Sequence, residues 1–338
     1  MDDKNIKPVR FIDLFCGVGG FRYAATQAAN ELGVGIKCVF SSDIDSDCQD
    51  VYAANFGERP TGDITKITPS EIPDHDLLLA GFPCQPFSII GKKMGFEDTR
   101  GTLFFNIASI LEKKHPKAFV LENVKLLKGH DSGRTLKRII ETLVGLGYFV
   151  TYRVFNARNF GLPQNRERIF IVGFKGAMDF KWPSPDLQMK SLSEVLEKEI
   201  PKEYYVSDKI RAQRMAKCDI THRAKPGIWH ENKAGHISVY PYSCALRAGA
   251  SYNYLLVDGI RRLTGREMFR LQGFPESFIL SKTYGVARSQ AGNSLPVPIA
   301  KAVVKNLMSG FMPFTYQTIP QEDDFIMQTY EEGVLYGT

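Results

Sequence analysis

Apolar residues in this chain fall into short continuous runs, and between the runs they recur every three or four positions. Residues 9–15, 37–41, 75–80, 117–124 and 148–156 are runs of the first kind, the pattern of strands covered on both faces. Residues 21–32, 103–114 and 132–146 are of the second kind, the pattern of amphipathic helices. Alternation of the two continues to about residue 173 and predicts an α/β core with parallel strands. From Lys181 to about Tyr254 periodicity fades into prolines, aromatics, histidines and basic residues, so short strands and loops are expected. Helical spacing returns over 261–275, and residues 290–298 form a turn into a closing helix at 299–308.

The first run ends in a glycine-rich turn, Cys16-Gly-Val-Gly-Gly20, followed by a helix. Gly17, Gly19 and Gly20 let backbone amides approach a ligand at the helix N-terminus. A dinucleotide fingerprint needs a further glycine where this chain has Arg22, which disfavours NAD. The second run leads to Asp43, where α/β nucleotide sites place an acid that accepts hydrogen bonds from ribose hydroxyls. Ile44 beside it suits an adenine face, and Gly62-Asp63-Ile64 adds an acid at a turn, suited to an exocyclic amine. Either acid alone also reads as a helix cap or a solvated turn. In this order after a glycine turn, they read together as a nucleotide site.

At the exit of the third run, Gly81-Phe-Pro-Cys-Gln-Pro-Phe-Ser88 sets Cys84 between aromatic and proline residues. A thiolate attacks where a hydroxyl is sluggish, although a free cysteine is more often a small buried hydrophobe. Residues 90–101 hold too many glycines and charges for a core element and predict a loop. The fourth run ends by presenting Glu122 and Asn123. A carboxylate there costs desolvation energy unless partnered, and α/β proteins bind ligands at the ends of parallel strands. Glu122 is therefore expected near Cys84. Arg166 and Arg168, two apart at the start of a strand, point the same way; the alternative is a pair of solvated surface arginines.

A length of 338 residues allows two domains, or one α/β domain with a substantial insertion. The six cysteines show no Cys-x-x-Cys spacing, which speaks against a zinc ribbon or a disulfide framework and fits a reducing cytoplasm. His222, His230 and His236 with Cys218 and Cys244 match no common zinc spacing, so no metal is expected. The N-terminus lacks the apolar core of a signal peptide, and no apolar run reaches the roughly eighteen residues of a membrane helix; neither secretion nor membrane insertion is expected. The net charge of +6 conceals an asymmetry, because residues 313–338 carry five acids and no Lys or Arg, leaving the body at +11. Residues 176–270 hold sixteen Lys and Arg against eleven Asp and Glu. Such a balance permits a polyanionic partner.

Together these stretches resemble the bacterial DNA (cytosine-5) methyltransferases of type II restriction-modification systems. Asp13-Leu-Phe-Cys-Gly-Val-Gly-Gly20 is similar to that family's S-adenosylmethionine motif, Phe82-Pro-Cys-Gln85 to its nucleophile motif, Glu122-Asn-Val124 to its base-binding motif and Gln164-Asn-Arg-Glu-Arg168 to its paired-arginine motif. Residues 262–275 and Gly292-Asn-Ser294 resemble its last two motifs, so the likeness runs in order through nearly all of 9–310.

The resemblance implies a doubly wound, mostly parallel, Rossmann-like sheet for cofactor and catalysis over 1–178 and 288–312. A small target-recognition domain would occupy 179–270, a hinge 271–287 and an acidic tail 313–338. The implied reaction moves a methyl group from S-adenosylmethionine to C5 of a cytosine flipped out of a specific duplex DNA sequence. Cys84 would attack C6, Glu122 would hold N3 and the exocyclic amine, Arg168 would contact O2, and Arg166 would help order the site. For the cofactor it implies stacking by Phe15, the backbone of Gly17, Gly19 and Gly20 at the methionine part, Asp43 at the ribose and Asp63 with Ile64 at the adenine end. Ile44 and Pro83 would line the same site, and Asn293 with Ser294 would close it. Ser88, Lys92 and Arg100 are candidate phosphate contacts, and Arg247, Ser251, Tyr252 and Asn253 candidate base or groove contacts. Asp43-Ile44 stands where the family often has Glu-Trp, and Ala245-Leu246 where it has Thr-Leu.

The same likeness implies a monomeric, cytoplasmic, bacterial or phage-encoded enzyme, with any restriction endonuclease acting separately. An RNA cytosine-5 methyltransferase would use the same chemistry, but the large basic insert and the Pro-Cys-Gln turn favour DNA. A catalytically inactive DNA-binding homologue is the third reading, and the presence of Cys84, Glu122 and Arg168 argues against it.

Overall fold

The computed structural model of the chain describes residues 7–83, 103–176, 179–218 and 225–310. Cys84, Ser88, Lys92, Arg100, His222 and the acidic tail lie outside them. Strand β1 (Val9–Leu14) leads through the glycine turn into α1 (Gly20–Leu32), and β2 (Ile36–Ser42) leads into α2 (Ser46–Phe56). Then come β3 (Leu77–Gly81), α3 (Leu103–Lys114), β4 (Ala118–Val124), α4 (Arg134–Gly145), β5 (Phe149–Asn156), the short β6 (Gln164–Asn165) and β7 (Glu167–Phe174).

The six-stranded sheet has the order β2-β1-β3-β4-β7-β5. Its first four strands are parallel neighbours, and β7 runs antiparallel to both β4 and β5. The reversal has a simple cause. Parallel neighbours need a crossover of a dozen or more residues, usually a helix, and no α-helix lies between β5 and β7. From β1 the sheet grows to β2 on one side and β3 on the other. This is a switch point, where the carboxyl ends of the strands leave a crevice.

Continuous apolar runs are explained by coverage of both faces. In β3, Leu77 and Leu79 join the core beneath α1, while Leu78 and Ala80 join the core beneath α3 and α4, all fully buried. A strand with only one covered face would alternate with polar residues instead.

The less periodic region contains α5 (Asp208–Ala216), β8 (Ile228–Glu231), β9 (Ile237–Tyr240), β10 (Ser243–Cys244) and β11 (Leu255–Val257). Strands β11, β8 and β9 form an antiparallel sheet, and β10 pairs with β6, tying this region to the core. Three helices follow, α6 (Gly265–Gln272), α7 (Tyr284–Asn293) and α8 (Val297–Ser309). A capping box of Thr264 and Glu267 starts α6, and Arg261 compensates the fully buried Glu267 at 2.9 Å, as a buried carboxylate requires. Helix α8 packs along α1, so the last helix completes the core over the first. No helix among the described residues is long and apolar enough to cross a membrane.

Candidate active site

A cleft of about 710 Å³ lies across the carboxyl ends of β1 to β4. At one end, Phe15, Gly17 and Gly19 take left-handed backbone angles, with φ of 52°, 52° and 90°. The Gly17 amide donates to Asp43 Oδ2 at 2.7 Å, and the Asp45 amide donates to Oδ1 at 2.9 Å. The acid after β2 is thus clamped to the turn after β1. Burial raises the Asp43 carboxyl above its ordinary range, opposed by these amides.

The three glycines serve different contacts. A Cβ on Gly17 would meet nothing within 4 Å, on the cleft side. On Gly19 it would sit 2.2 Å from the Phe56 ring, so this glycine packs against α2 and is absent from the cleft wall. On Gly20 it would press on Leu295 at 3.2 Å, beside the closing segment. Ile44 lines the cleft with 76 % of its surface exposed, an aliphatic face with no protein cover. Asp63 also lines it, but as the cap of a tight turn whose Oδ1 accepts from the Thr65 amide at 3.0 Å and hydroxyl at 2.7 Å. Those bonds hold its carboxyl below the ordinary range. Ile64 is buried behind it, Asn293 and Ser294 form the facing wall, and Pro83 sits at the exposed rim.

At the other end, Glu122 and Arg168 form an ion pair at 2.8 Å, with both side chains nearly buried. Glu122 Oε1 has no hydrogen bond aligned on it. Burial pushes the Glu122 carboxyl upward, with Arg168 and Arg166 pulling the other way. Asn123 points elsewhere: its Nδ2 donates to the Phe82 carbonyl at 2.9 Å, which fixes the backbone leading to Cys84. Arg166 is 1 % exposed. It donates to the carbonyls of Leu246 at 2.9 Å, Gly292 at 2.9 Å and Ser294 at 2.5 Å. Neither arginine is a solvated surface residue.

Of the candidate base contacts, exposed Arg247 reaches the cleft and lies over the Tyr254 ring at 4.8 Å. Ser251, Tyr252 and Asn253 do not line it. Tyr252 stacks on Tyr284 at 5.7 Å with Arg288 over its ring, and the Asn253 carbonyl accepts from Arg214. Ser251 is exposed. Gln164, Gln272 and Gln290, all buried, carry hydrogen bonds around the cleft that no local pattern signals. Among the described residues no group of three or more His, Cys, Asp or Glu side chains could hold a metal.

A glycine turn and an acid at the switch point of a mostly parallel sheet, with a buried carboxylate–guanidinium pair farther along the same edge, define a doubly wound α/β protein with a ligand cleft at its switch point. Solved structures share this fold. The Dnmt2 methyltransferase of S. pombe superposes with a TM-score of 0.67 at 22 % identity, covering 90 % of this chain and 99 % of that one. A putative DNA modification methyltransferase from an E. coli prophage gives 0.66 at 20 %, with the same coverage. The model of the C-5 cytosine-specific DNA methylases matches residues 9–309, and the chain belongs to that family. Type II methyltransferase M.NgoBI of Neisseria gonorrhoeae is 55 % identical over 296 residues, 87 % of this chain and 91 % of that protein. M.HaeII of Haemophilus aegyptius is 50 % identical over 321 residues, 93 % and 98 % respectively. The chain is a DNA cytosine-5 methyltransferase of the restriction-modification type, and its family implies S-adenosylmethionine as methyl donor.

Proposed function

We propose that the enzyme methylates C5 of a cytosine flipped out of a specific duplex sequence, through a covalent bond between Cys84 and C6. The observation that carries this reading is the Glu122–Arg168 pair, held in the same cleft as the glycine turn and beside the Phe82-Pro83 backbone that precedes Cys84. The residues at the far end fit the donor. Gly17 leaves open space, Ile44 offers an aliphatic face, and the Asp43 carboxylate retains acceptor capacity beyond its two amide bonds. When bound there, S-adenosylmethionine supplies an electrophilic methyl group.

The protein residues supply the rest. Cytosine C5 is a poor nucleophile until a group adds at C6. The Cys84 thiolate gives its electron pair to C6, the C5–C6 π pair moves to the C5 side, and covalent catalysis divides the difficult step. A Glu122 carboxyl whose pKa is raised by burial can donate its proton to N3 as that charge develops. Arg168 then stabilises the resulting carboxylate and contacts O2. After methylation, a base from solvent takes the C5 proton, the C–H electron pair re-forms the C5–C6 double bond, Cys84 leaves C6 as the thiolate, and N3 returns its proton to Glu122. The target atom is unreachable in a stacked duplex, so the base must leave the helix.

We assign target recognition to residues 179–270 and a hinge to 271–287, and propose a monomer working beside a separately acting endonuclease. The test is incubation with duplex containing 5-fluorocytosine and S-adenosylmethionine. Fluorine at C5 blocks elimination, so a covalent adduct should accumulate with wild type and be missing with Cys84→Ala. The variant should retain cofactor binding; absence of any adduct across varied sequences would sink the mechanism. Transfer to tRNA in preference to duplex DNA would favour an RNA substrate instead.

A further inference from the structure

Residues 245–254 connect β10 to β11 without regular secondary structure. Arg247, Ala248 and Gly249 line the cleft, and Arg247, Ser251 and Tyr252 are exposed. A connection of this kind usually moves, because little outside it satisfies its backbone. Here two arginines from different helices do so. Arg288 of α7 donates to the Ala250 carbonyl at 2.9 Å, and Arg214 of α5 donates to the Asn253 carbonyl at 2.6 Å. The two carbonyls bracket Ser251 and Tyr252.

Each arginine is itself held in place. Arg214 is 5 % exposed and pairs with Glu231 of β8 at 2.6 Å. Arg288 lies over the Tyr252 ring at 4.4 Å, and that ring stacks on Tyr284, one turn earlier in α7, at 5.7 Å. Gly285 lets the tyrosine lie this close, since a Cβ there would stand 3.1 Å from the Tyr252 hydroxyl oxygen. At the other end of the connection, the Arg247 amide donates to the buried Tyr254 hydroxyl at 2.9 Å. The backbone is therefore fixed on both sides of the side chains that project from it.

We propose that Arg288 and Arg214 are positioning residues for sequence discrimination, holding Arg247, Ser251 and Tyr252 in one arrangement against the duplex. The inference rests on the assignment of recognition to residues 179–270. A fixed set of donors and acceptors penalises a wrong base pair, because its groups stay unpaired. A loose loop would shift to suit the wrong pair and lose the distinction. Neither arginine lines the cleft, so each acts through the loop it holds.

The experiment compares kcat/KM on duplex carrying the site found by bisulfite mapping with kcat/KM on duplexes altered at one base pair other than the target. In the wild type each altered pair should lower the value by about 5- to 150-fold. Arg288→Met removes the bond to Ala250 and keeps an unbranched side chain beside Tyr252. At one or more positions its discrimination should fall below about twofold, while the remaining positions keep theirs. Arg288→Lys, which retains a cation and a donor, should recover part of what is lost. Should Arg288→Met fail to fold, Arg214→Met combined with Glu231→Gln removes the other clamp without leaving a buried charge unpaired, and the same loss is expected. A merely structural role would lower kcat/KM on every duplex by one factor and leave all ratios unchanged, which would overturn the proposal. A wild type that methylates no duplex would sink both the assigned function and this inference. A sequence-specific wild type whose variants keep every ratio would sink only the inference.

Discussion

Glu122 and Arg168 meet on a diagonal. Across the antiparallel pair of β4 and β7, Glu122 is in register with Phe170 and Arg168 with Val124, yet Arg168 Nε lies 2.8 Å from Glu122 Oε1. Diagonal neighbours stand about 7–8 Å apart at Cα, a gap that long side chains bridge. The reversed direction of β7 turns Arg168 toward the carboxyl end of β4, where the cleft lies.

Removing the cation from this buried pair leaves Glu122 with a carboxylate that burial disfavours. Arg168→Ala should cost about 3–5 kcal/mol when the acid is ionised, and less when it is protonated. Urea unfolding followed across pH should show the loss growing as pH rises above the unfolded carboxyl pKa of about 4.3, because burial and the missing cation both favour the protonated acid. An equal loss at every pH would contradict the pairing.

For Glu122 the folded pKa is raised, so the proton is held more tightly in the folded state. The associated stability is fully present below the unfolded carboxyl pKa of about 4.3 and is lost as pH rises through the folded value. Glu122→Gln removes this titration. Its stability relative to wild type should improve as pH rises above about 4.3, while kcat falls by about 10²- to 10⁴-fold through loss of the transferable proton. Stability curves that stay parallel across pH would refute the burial argument.

Gly17 and Gly19 separate binding from packing. Alanine at either must adopt a left-handed conformation, costing about 1–2 kcal/mol. At Gly19 the added methyl also overlaps the Phe56 ring, whereas at Gly17 it projects into the cleft. Gly19→Ala should therefore show the larger fall in Tm. Gly17→Ala should show the larger rise in the S-adenosylhomocysteine dissociation constant, measured by calorimetry.

Helix α8 is tied to α1 at the surface by Glu31, which accepts from Lys301 at 2.6 Å and Lys305 at 2.7 Å. These bonds lower its pKa to about 2. The stability they add is present above the unfolded carboxyl pKa and is lost as pH falls toward about 2. The groups are more than a third exposed, so Glu31→Gln should cost no more than about 1 kcal/mol near neutrality and less in high salt. Chemical unfolding at pH 7 and pH 3 checks this: the difference from wild type should shrink at the lower pH.

Much of the cleft was legible because its parts are local. The glycine turn, the acid after β2 and the Glu-Asn pair at the end of β4 each occupy a strand exit, and strand exits are written in runs of neighbouring residues. Roles were less legible. Asp63 reads equally well as a turn cap or as an adenine contact, and it both caps its turn and lines the cleft. Arg166 and Arg168 look alike in the chain, yet one brackets three carbonyls and the other pairs with an acid.

By itself the sequence determined the strands of the central sheet, the helices α1, α3, α4, α6 and α8 and the residue types placed at the strand ends, since burial on both faces and helical periodicity are recorded within a few neighbouring positions; α2, α5, α7 and the strands β8 to β11 were not placed by it. Only the tertiary structure decided that β7 reverses, that Gly19 serves α2 rather than the cleft, and that Arg166 joins Leu246 to Gly292 and Ser294. The physical reason is separation. Arg166 finds its carbonyls 80, 126 and 128 residues away, and partners at such distances are selected by packing and by the cost of leaving buried polar groups unpaired, which no local pattern encodes.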